Sequence, residues 1–406
     1  MLGLRVGLVC PYSFDSHGGV QNQVVGFARY LSAQGHESYV LGPGELPPWS
    51  TQGLENVSSA GVAIPVPYNG SVARVNFGPL SAARVRRWLR TSDLDLLHVH
   101  EPITPSISLL ALRAAEVPVV ATFHTATPRS RSMWLAGGAL RSTVEKIGGR
   151  IAVSESARQV VVQHLGHDAV VIPNGFSAAD FVMNSAPHGG LRPRWRGGNR
   201  PRLTFLGRAD EPRKGLAVLI AALPAIRARH PDLDVVVAGD RSASRVIGCR
   251  ALGPVDDRTK VELLASTDVF VAPQLERESF GIVVLEAMAS GAPVVASDLP
   301  AFVDLLRPPG VPEPLGEIFT SGSPPALAAA VVRTLATTNQ VRTERARLAA
   351  GRYDWSHVGP AILGIYRQAL NRQPHPAPAV DRSGWPGWTP SKMPTPSSVA
   401  RATLWR

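Results

Sequence analysis

Apolar and polar positions alternate in blocks along the 406-residue chain: short β-branched runs bounded by Gly, Pro or Asp, separated by stretches with helical periodicity. In the first half RVGLVC (5–10), ESYVLG (37–42), DLLHVH (95–100), VPVVATFH (117–124), RIAVS (150–154) and AVVIP (169–173) read as strands. VQNQVVGFARYLSAQG and SISLLALRAAE between them read as helices. The second half repeats the alternation with RLTFLGR (202–208), DVVVAG (234–239), VFVAP (269–273) and PVVAS (293–297). The pattern predicts an α/β protein with two doubly wound Rossmann-like domains, each with its own parallel sheet. The first is expected over 1–173 and the second over 174–355, with the boundary at the strand end Ile172-Pro173-Asn174-Gly175. Residues 184–201, rich in Pro, Gly and Arg, read as a loop, and a helix over 356–372 is expected to cross back to the first domain. The Pro-, Ser- and Trp-containing stretch 373–406 lacks a period and reads as a disordered tail.

The segment from Glu278 to Glu286, ESFGIVVLE, is the most informative chemically. It follows a run that reads as a buried strand, and GIVVLEAMASG reads as a short helix ended by Gly291. Ser279, Phe280 and Gly281 are then expected to present free backbone N–H groups at the positive end of the helix dipole, which suits a phosphate. Glu278 precedes that phosphate and Glu286 lies about one turn inside the helix, so the carboxylates reach hydroxyls on either side. A sugar nucleotide, a diphosphate with a sugar at each end, fits the arrangement. Taken alone, the spacing also fits a solvated helix residue and a first-turn charge.

Other strand-like runs end in polar groups. PYSFDSHGGVQNQV places Gly18-Gly19 between a strand and a helix beginning near Val20, an order that lets backbone approach a phosphate; a plain turn fits as well. GRADEPRKG (207–215) carries Arg208, Arg213 and Lys214 after a strand, so that Arg208 and Lys214 converge on one diphosphate or are simply surface charge. His124, followed by Thr125, ends VVATFH, where it meets a substrate hydroxyl or caps the strand. His98 and His100 share one face of DLLHVH, and His100-Glu101-Pro102 closes that strand in a structural role.

The net charge of +11, mostly Arg, calls for an anionic partner. No helix-turn-helix, RNA-binding aromatic signature or zinc-finger spacing is present, which argues against nucleic acid. The organised basic element is PLSAARVRRWLR (79–90). At ~100° per residue, Arg84, Arg86, Arg87 and Arg90 fall on one arc, with Ala82, Val85, Trp88 and Leu89 opposite. That pattern fits a helix lying on an anionic membrane surface, or a core-packed helix with a solvated basic side. Cys10 and Cys249 form no disulfide framework or zinc site, so a reducing cytoplasm is expected, with Cys10 in the core. No signal peptide is read, and no apolar run approaches the ~20 residues needed to span a bilayer.

With these residues in view, the chain resembles the retaining GT-B glycosyltransferases of family 4, and among them those that mannosylate phosphatidylinositol. The segments that carry the likeness are VCPYSFDSHGGVQ, VPYNGSVARVNFGP, HVHEP, VATFHT, IAVS, IPNG, FLGRADEPRKG, VDDRTK and ESFGIVVLEAM, in that order across most of residues 4–370. The resemblance implies GDP-mannose bound in a cleft between the domains, mostly on the second. Arg208 and Lys214 would hold the diphosphate, with the Gly18-Gly19 backbone completing the pocket. Val255, Asp257 and Lys260 would surround the guanine, Glu286 would bind ribose hydroxyls, and Glu278 would fix the mannose. Tyr12, Gln21, Arg74, His124, Thr125 and Arg129 would receive the inositol of phosphatidylinositol, and the Arg84–Arg90 helix would dock on anionic lipid at the inner face of the cell membrane. Transfer would retain configuration, with no metal or other cofactor in the site.

The chain departs from the family pattern at Gln274-Leu275-Glu276-Arg277, where relatives carry small residues, so Glu276 and Arg277 are expected to reshape the sugar pocket. It also departs at Ile103, Pro128 and Ala83, and in lacking a second glycine after Gly239. A family 4 transferase that uses another donor or a diacylglycerol-type acceptor, a sugar-nucleotide epimerase, and a basic scaffold for anionic polymer are the alternatives.

Overall fold

The computed structural model describes residues 3–15, 18–68, 71–125, 141–182, 200–239, 248–337 and 340–371, all within the structural unit Met1–Arg372. The expected tail, Pro128, Arg129 and most of the loop 184–201 lie outside the described residues. The first sheet comprises β1 (Arg5–Val9), β2 (Glu37–Gly42), β3 (Asn56–Ser59), β6 (Leu96–His100), β7 (Val119–Phe123), β8 (Ile147–Ala152) and β9 (Val170–Val171), in the order β3-β2-β1-β6-β7-β8-β9. Between β3 and β6 the chain makes an antiparallel ribbon, β4 (Ile64–Tyr68) with β5 (Ser71–Val75). The second sheet comprises β10 (Arg202–Leu206), β11 (Asp234–Ala238), β12 (Arg250–Gly253), β13 (Val269–Ala272), β14 (Val294–Ser297) and β15 (Glu317–Phe319), in the order β12-β11-β10-β13-β14-β15. Pairing within both sheets is parallel. Helices on both faces bury β6, β7, β10, β13 and β14 completely, which is why these strands read as unbroken apolar runs.

In chain order the helices are α1 (Gly19–Ala33), α2 (Pro48–Thr51), α3 (Pro79–Ser92), α4 (Ile107–Ala114), α5 (Glu155–Leu165), α6 (Ala178–Val182) and α7 (Leu216–Arg227). They continue as α8 (Asp257–Ala265), α9 (Ile282–Ala289), α10 (Pro300–Leu306), α11 (Pro324–Ala336), α12 (Gln340–Gly351) and α13 (Trp355–Asn371). Side-chain caps start several of them: Ser106 on α4, Ser154 on α5, Asp256 on α8 and Ser323 on α11. Val24, Phe27 and Leu31 of α1 and Val358, Ile362 and Tyr366 of α13 cover one face of the first sheet through Leu8, Leu96 and Val120. Val85 and Trp88 of α3, Leu112 of α4 and Val161 of α5 cover the other through Val9, Val99 and Ala121. The second sheet is enclosed in the same way, by α7 and α11 on one side and by α8, α9, α10 and α12 on the other. This is the expected doubly wound architecture in two Rossmann-like halves.

Three readings of the sequence change. The strands β3, β4, β5, β12 and β15 are absent from the predicted set; in β3 and β4, NVSS and IPVPY carry Ser or Pro where an apolar alternation would show. Several strands stop short of their apolar runs, β7 at Phe123 for example, because the closing residues turn into loops, whereas β8 begins earlier, at Ile147. The apolar side of α3 is core: Val85 and Trp88 are buried, so that side is not available to a bilayer.

In each sheet the strand order reverses once, between β1 and β6 and between β10 and β13. In open α/β sheets ligands bind beyond the carboxyl ends of the strands at such reversals. The chain passes between the two sheets at Asn174 and Gly175, where Gln23 of α1 brackets Gly175, donating from Nε2 to its carbonyl at 2.6 Å and accepting from its N–H at 3.0 Å.

Candidate active site

At the β10–β13 reversal two loops lie side by side. Gly215 has φ +74°, and a Cβ there would sit 1.8 Å from the Pro273 carbonyl oxygen, so only glycine permits this approach. Leu275 N–H then donates to the Arg213 carbonyl at 2.8 Å. This contact brings the basic loop 207–215 against the loop that carries Glu278. Lys214 Nζ lies 3.0 Å from Glu278 Oε2, both side chains being mostly buried. Burial alone would raise the Glu278 carboxyl, but Lys214, Arg213 and the Gly281 N–H outweigh it and hold it below the ordinary carboxylate range. Gly281 N–H is therefore engaged by Glu278, which corrects the expectation of three free N–H groups. The Phe280 ring belongs to the core and packs edge-on against Tyr353.

The second carboxylate has its own lysine. Glu286, buried on α9, accepts from Lys260 Nζ at 2.7 Å. Lys260 also lies 3.2 Å from Asp257 and sits over the Phe181 ring at 5.6 Å. Burial pushes the Lys260 ammonium down, but Glu286 and Asp257 hold it above its ordinary range. Val255, half-buried, packs against the same core, and Asp257 opens α8 with its side chain exposed. Arg208, nearly half exposed, pairs with Glu211 at 3.0 Å, and Arg213 pairs with Glu211 at 2.6 Å. The structure thus gathers Arg208, Lys214, Glu278, Ser279, Gly281, Glu286 and Lys260 at one strand-end edge. Gln274 is buried, and its carbonyl accepts from Ser297 Oγ at 2.6 Å. Only Glu276 and Arg277 of the altered loop are exposed, with Arg277 in the left-handed region at φ +57°.

At the β1–β6 reversal the chain leaves β1 through Tyr12, which bridges to Val75 of β5. Ser13 N–H donates to the Arg74 carbonyl at 2.8 Å, and Arg74 NH1 lies 3.7 Å from Asp15. Gln21, buried on α1, donates to the Ser13 carbonyl at 3.0 Å. Gly18 precedes α1 in extended backbone, and a Cβ on it would strike the Gln21 side chain at 2.3 Å, whereas Gly19 faces open space. Tyr12, Arg74, Gln21 and Gly18 are therefore assembled around one turn. Ile103, half-buried, packs into the core beside β6.

Three buried histidines line this edge: His98 and His100 in β6 and His124 just after β7. His98 stacks on His100 with centroids 4.5 Å apart, and His100 on His124 at 5.2 Å. His98 bonds Tyr366 Oη of α13 at 2.8 Å and Thr122 Oγ1 at 2.7 Å, while His100 Nδ1 lies 2.9 Å from His124 Nε2. Burial lowers all three, His98 and His124 to about 3 and His100 well below its ordinary value, so all are neutral near pH 7. Glu101 has φ +49° and directs its buried Oε1 to His124 N–H at 2.7 Å and to Thr125 Oγ1 at 2.9 Å. Its carboxyl is raised by burial. The sequence predicts only a structural part for Glu101; the structure makes it the clamp on the His124 backbone and the Thr125 hydroxyl. Nothing but its place after a paired-His strand signalled this.

The histidines predict acid sensitivity. Their folded values lie below the unfolded 6.5, so the unfolded chain binds more protons as pH falls. The stability they contribute is complete above pH ~6.5 and is lost on the way down, at about 1.4 kcal/mol per pH unit for each histidine. Denaturant unfolding at pH 7 and pH 5 should show a loss of several kcal/mol. A His98→Gln variant should show a shallower slope; an unchanged slope would contradict the assignment.

On α3, Arg86, Arg87 and Arg90 are exposed, whereas Arg84 donates to the Ala60 carbonyl at 3.1 Å and so braces the loop before β4. No described helix is long and apolar enough to cross a membrane.

Known proteins give the site its context. The chain matches the family model described as Glycosyltransferase Family 4 over residues 17–180, and that described as Glycosyl transferases group 1 over residues 200–337. It is 47% identical to a phosphatidyl-myo-inositol mannosyltransferase of Propionibacterium freudenreichii, covering 90% of this chain and 95% of that one. It is 45% identical to the protein of the same name from Mycolicibacterium smegmatis, covering 89% and 93%. Among solved structures, a glycosyltransferase from Rickettsia africae superposes with TM-score 0.71 at 19% identity, covering 91% of this chain and 99% of that one. The Anabaena protein HepE in complex with UDP and glucose does so with TM-score 0.68 at 20% identity, covering 90% and 99%; at such identity these two likenesses establish the GT-B fold. Matched in both halves and along nearly its whole length, the chain belongs to glycosyltransferase family 4.

Proposed function

We propose that the chain moves mannose from GDP-mannose to the inositol of phosphatidyl-myo-inositol with retention of configuration, at an anionic membrane surface on the cytoplasmic side. The observation that carries this reading is the pair of lysine–carboxylate contacts at one strand-end edge, Lys214–Glu278 and Lys260–Glu286, in a chain so like the mannosyltransferases above. In it Arg208 and Lys214 meet the diphosphate, Glu278 the mannose, Glu286 the ribose, and Val255, Asp257 and Lys260 the guanine. Ser279 N–H and the Gly18-Gly19 turn line the phosphates. Tyr12, Gln21, Arg74, His124 and Thr125 face the acceptor.

Chemically, the bond between the anomeric carbon and the phosphate oxygen breaks with its electron pair going to GDP. An inositol hydroxyl then attacks from the same face, and its proton passes to the departing phosphate. The demand on the protein is stabilisation of developing phosphate charge rather than a strong base. Arg208 and Lys214 answer that demand and no metal is invoked.

Purified protein given carbon-14 GDP-mannose and phosphatidylinositol liposomes should produce a labelled glycolipid that keeps the α configuration. No label from GDP-mannose, with label from another sugar nucleotide, would overturn the donor; a product mass lacking inositol would overturn the acceptor.

Two surface features support membrane docking. One is the outward face of α3 with Arg86, Arg87 and Arg90. The other is a run of chain leading into α3 that exposes several apolar side chains: Val62 (83% exposed), Ile64, Val66, Val72, Phe77 and Leu80 (76%). Near an anionic surface each Arg contributes about 1 kcal/mol. Changing Arg86, Arg87 and Arg90 to Gln together should thus weaken liposome partitioning about 100-fold while GDP affinity stays unchanged. Wild-type partitioning by that variant would remove the basic face from the reading.

A further inference from the structure

We infer that Glu101 is a positioning residue that claims the hydroxyl proton of Thr125, so that Thr125 Oγ1 turns only lone pairs to the acceptor and receives a hydrogen bond from one of its ring hydroxyls. The inference deepens the reading above, on which it rests for placing Thr125 against the inositol.

Glu101 follows β6, and its backbone is pinned to the neighbouring strand. Its N–H donates to the Thr122 carbonyl at 2.9 Å, which carries the β6–β7 pairing one residue beyond His100. At φ +49° it then enters the left-handed region, which few residues other than glycine occupy. The carboxyl that reaches His124 and Thr125 from there belongs to a residue only 3% exposed. Enclosing a carboxyl is costly unless its oxygens are bonded, and hydrogen bonds from His124 and Thr125 are what offset its burial. A left-handed backbone and a buried carboxyl thus serve the two residues that follow β7.

The sense of the Thr125 contact follows from its neighbour. Glu101 Oε1 takes the His124 backbone N–H at 2.7 Å. An amide N–H can only donate, so Oε1 is an acceptor oxygen. Thr125 Oγ1, 2.9 Å from that same oxygen, therefore donates its proton to it. The sense is the same whether or not the other carboxyl oxygen is protonated. A hydroxyl has one O–H and two lone pairs, so acceptor capacity is all that remains for a ligand. Thr125 is half-buried at the carboxyl end of β7, the end at which open sheets bind ligands. An acceptor-only group there suits a polyol ring, whose hydroxyls donate, and disfavours an ionised phosphate oxygen.

The test uses phosphatidylinositol analogues in which one ring hydroxyl at a time is replaced by fluorine, which cannot donate. Outside the attacking position, one such replacement should lower wild-type kcat/KM about tenfold, the worth of one hydrogen bond. Thr125→Val should lose most of that discrimination. Glu101→Gln keeps an acceptor oxygen and should retain it. Glu101→Met frees the Thr125 hydroxyl to rotate and should lose it, even where its rate on the natural lipid also falls. A merely structural Glu101 would slow both lipids alike, so an unchanged ratio in Glu101→Met would overturn the inference. A wild type indifferent to fluorine at every position, or full discrimination by Thr125→Val, would do the same. Proton NMR of the threonine-labelled full chain adds a measurement that needs neither substrate nor the Glu101→Met protein. It should show a slowly exchanging Thr125 hydroxyl proton, identified by its loss in Thr125→Val; exchange too fast to observe would contradict the hydrogen bond. The transferase reading fails separately, if wild-type protein moves no mannose.

Discussion

Lys214→Met should lower kcat by about 100- to 1,000-fold, the usual cost of removing one charge-stabilising donor, or about 2.7–4 kcal/mol of transition-state stabilisation. Lys214 is the cation in direct contact with Glu278, and the rigid approach of Gly215 to Pro273 fixes the base of its side chain. The substitution has a second consequence. Glu278 loses its principal counter-charge and keeps only Arg213 nearby and the Gly281 N–H, so burial then raises its carboxyl. The pH dependence of the residual activity should accordingly move upward on its acid limb. Pairing the change with Glu278→Gln removes the uncompensated carboxylate, so the double variant should recover unfolding free energy but no turnover. Steady-state transfer kinetics and denaturant unfolding on the four proteins of this cycle separate the two effects. Turnover of Lys214→Met within threefold of wild type would remove Lys214 from the leaving-group role.

Local pattern carried the architecture because a parallel strand covered on both faces must be apolar throughout; VFVAP and VVATFH were therefore readable alone. It could not carry β4 and β5, where Pro65 and Pro67 break the alternation. The spacing of Glu278 and Glu286 was legible as chemistry, but their partners were not: Lys214 is 64 residues from Glu278 and Lys260 is 26 from Glu286. The first contact exists because β10 and β13 are neighbours at a sheet reversal, a fact of topology that no window of sequence contains. For α3 the helical projection was sound in placing Arg86, Arg87 and Arg90 outward, yet periodicity cannot tell a core from a bilayer as the home of Val85 and Trp88. His98 and His100 were legible as sharing one face; the bond to His124 required β6 and β7 to be adjacent.

Among single substitutions, the largest stability effect should come from Glu286. Lys260 is almost enclosed, and its ammonium depends on Glu286 at 2.7 Å, with the exposed Asp257 at 3.2 Å as a lesser neighbour. Removing one partner of a buried pair typically costs about 3–5 kcal/mol, because the other charge is left without compensation. Asp257 offsets part of that here, so Glu286→Leu should destabilise by about 2–3 kcal/mol, with loss of GDP affinity if Glu286 binds the ribose. Replacing both partners, Lys260→Met with Glu286→Leu, removes the stranded charge, and apolar pairs of similar volume are often neutral or better. The double variant should therefore regain most of the lost stability while GDP binding stays weak. Denaturant unfolding with calorimetric GDP titration tests both halves. Recovery of stability without recovery of affinity would mean the pair is kept for the nucleotide, and a double variant no more stable than Glu286→Leu would mean that packing around α9, rather than charge, sets the cost.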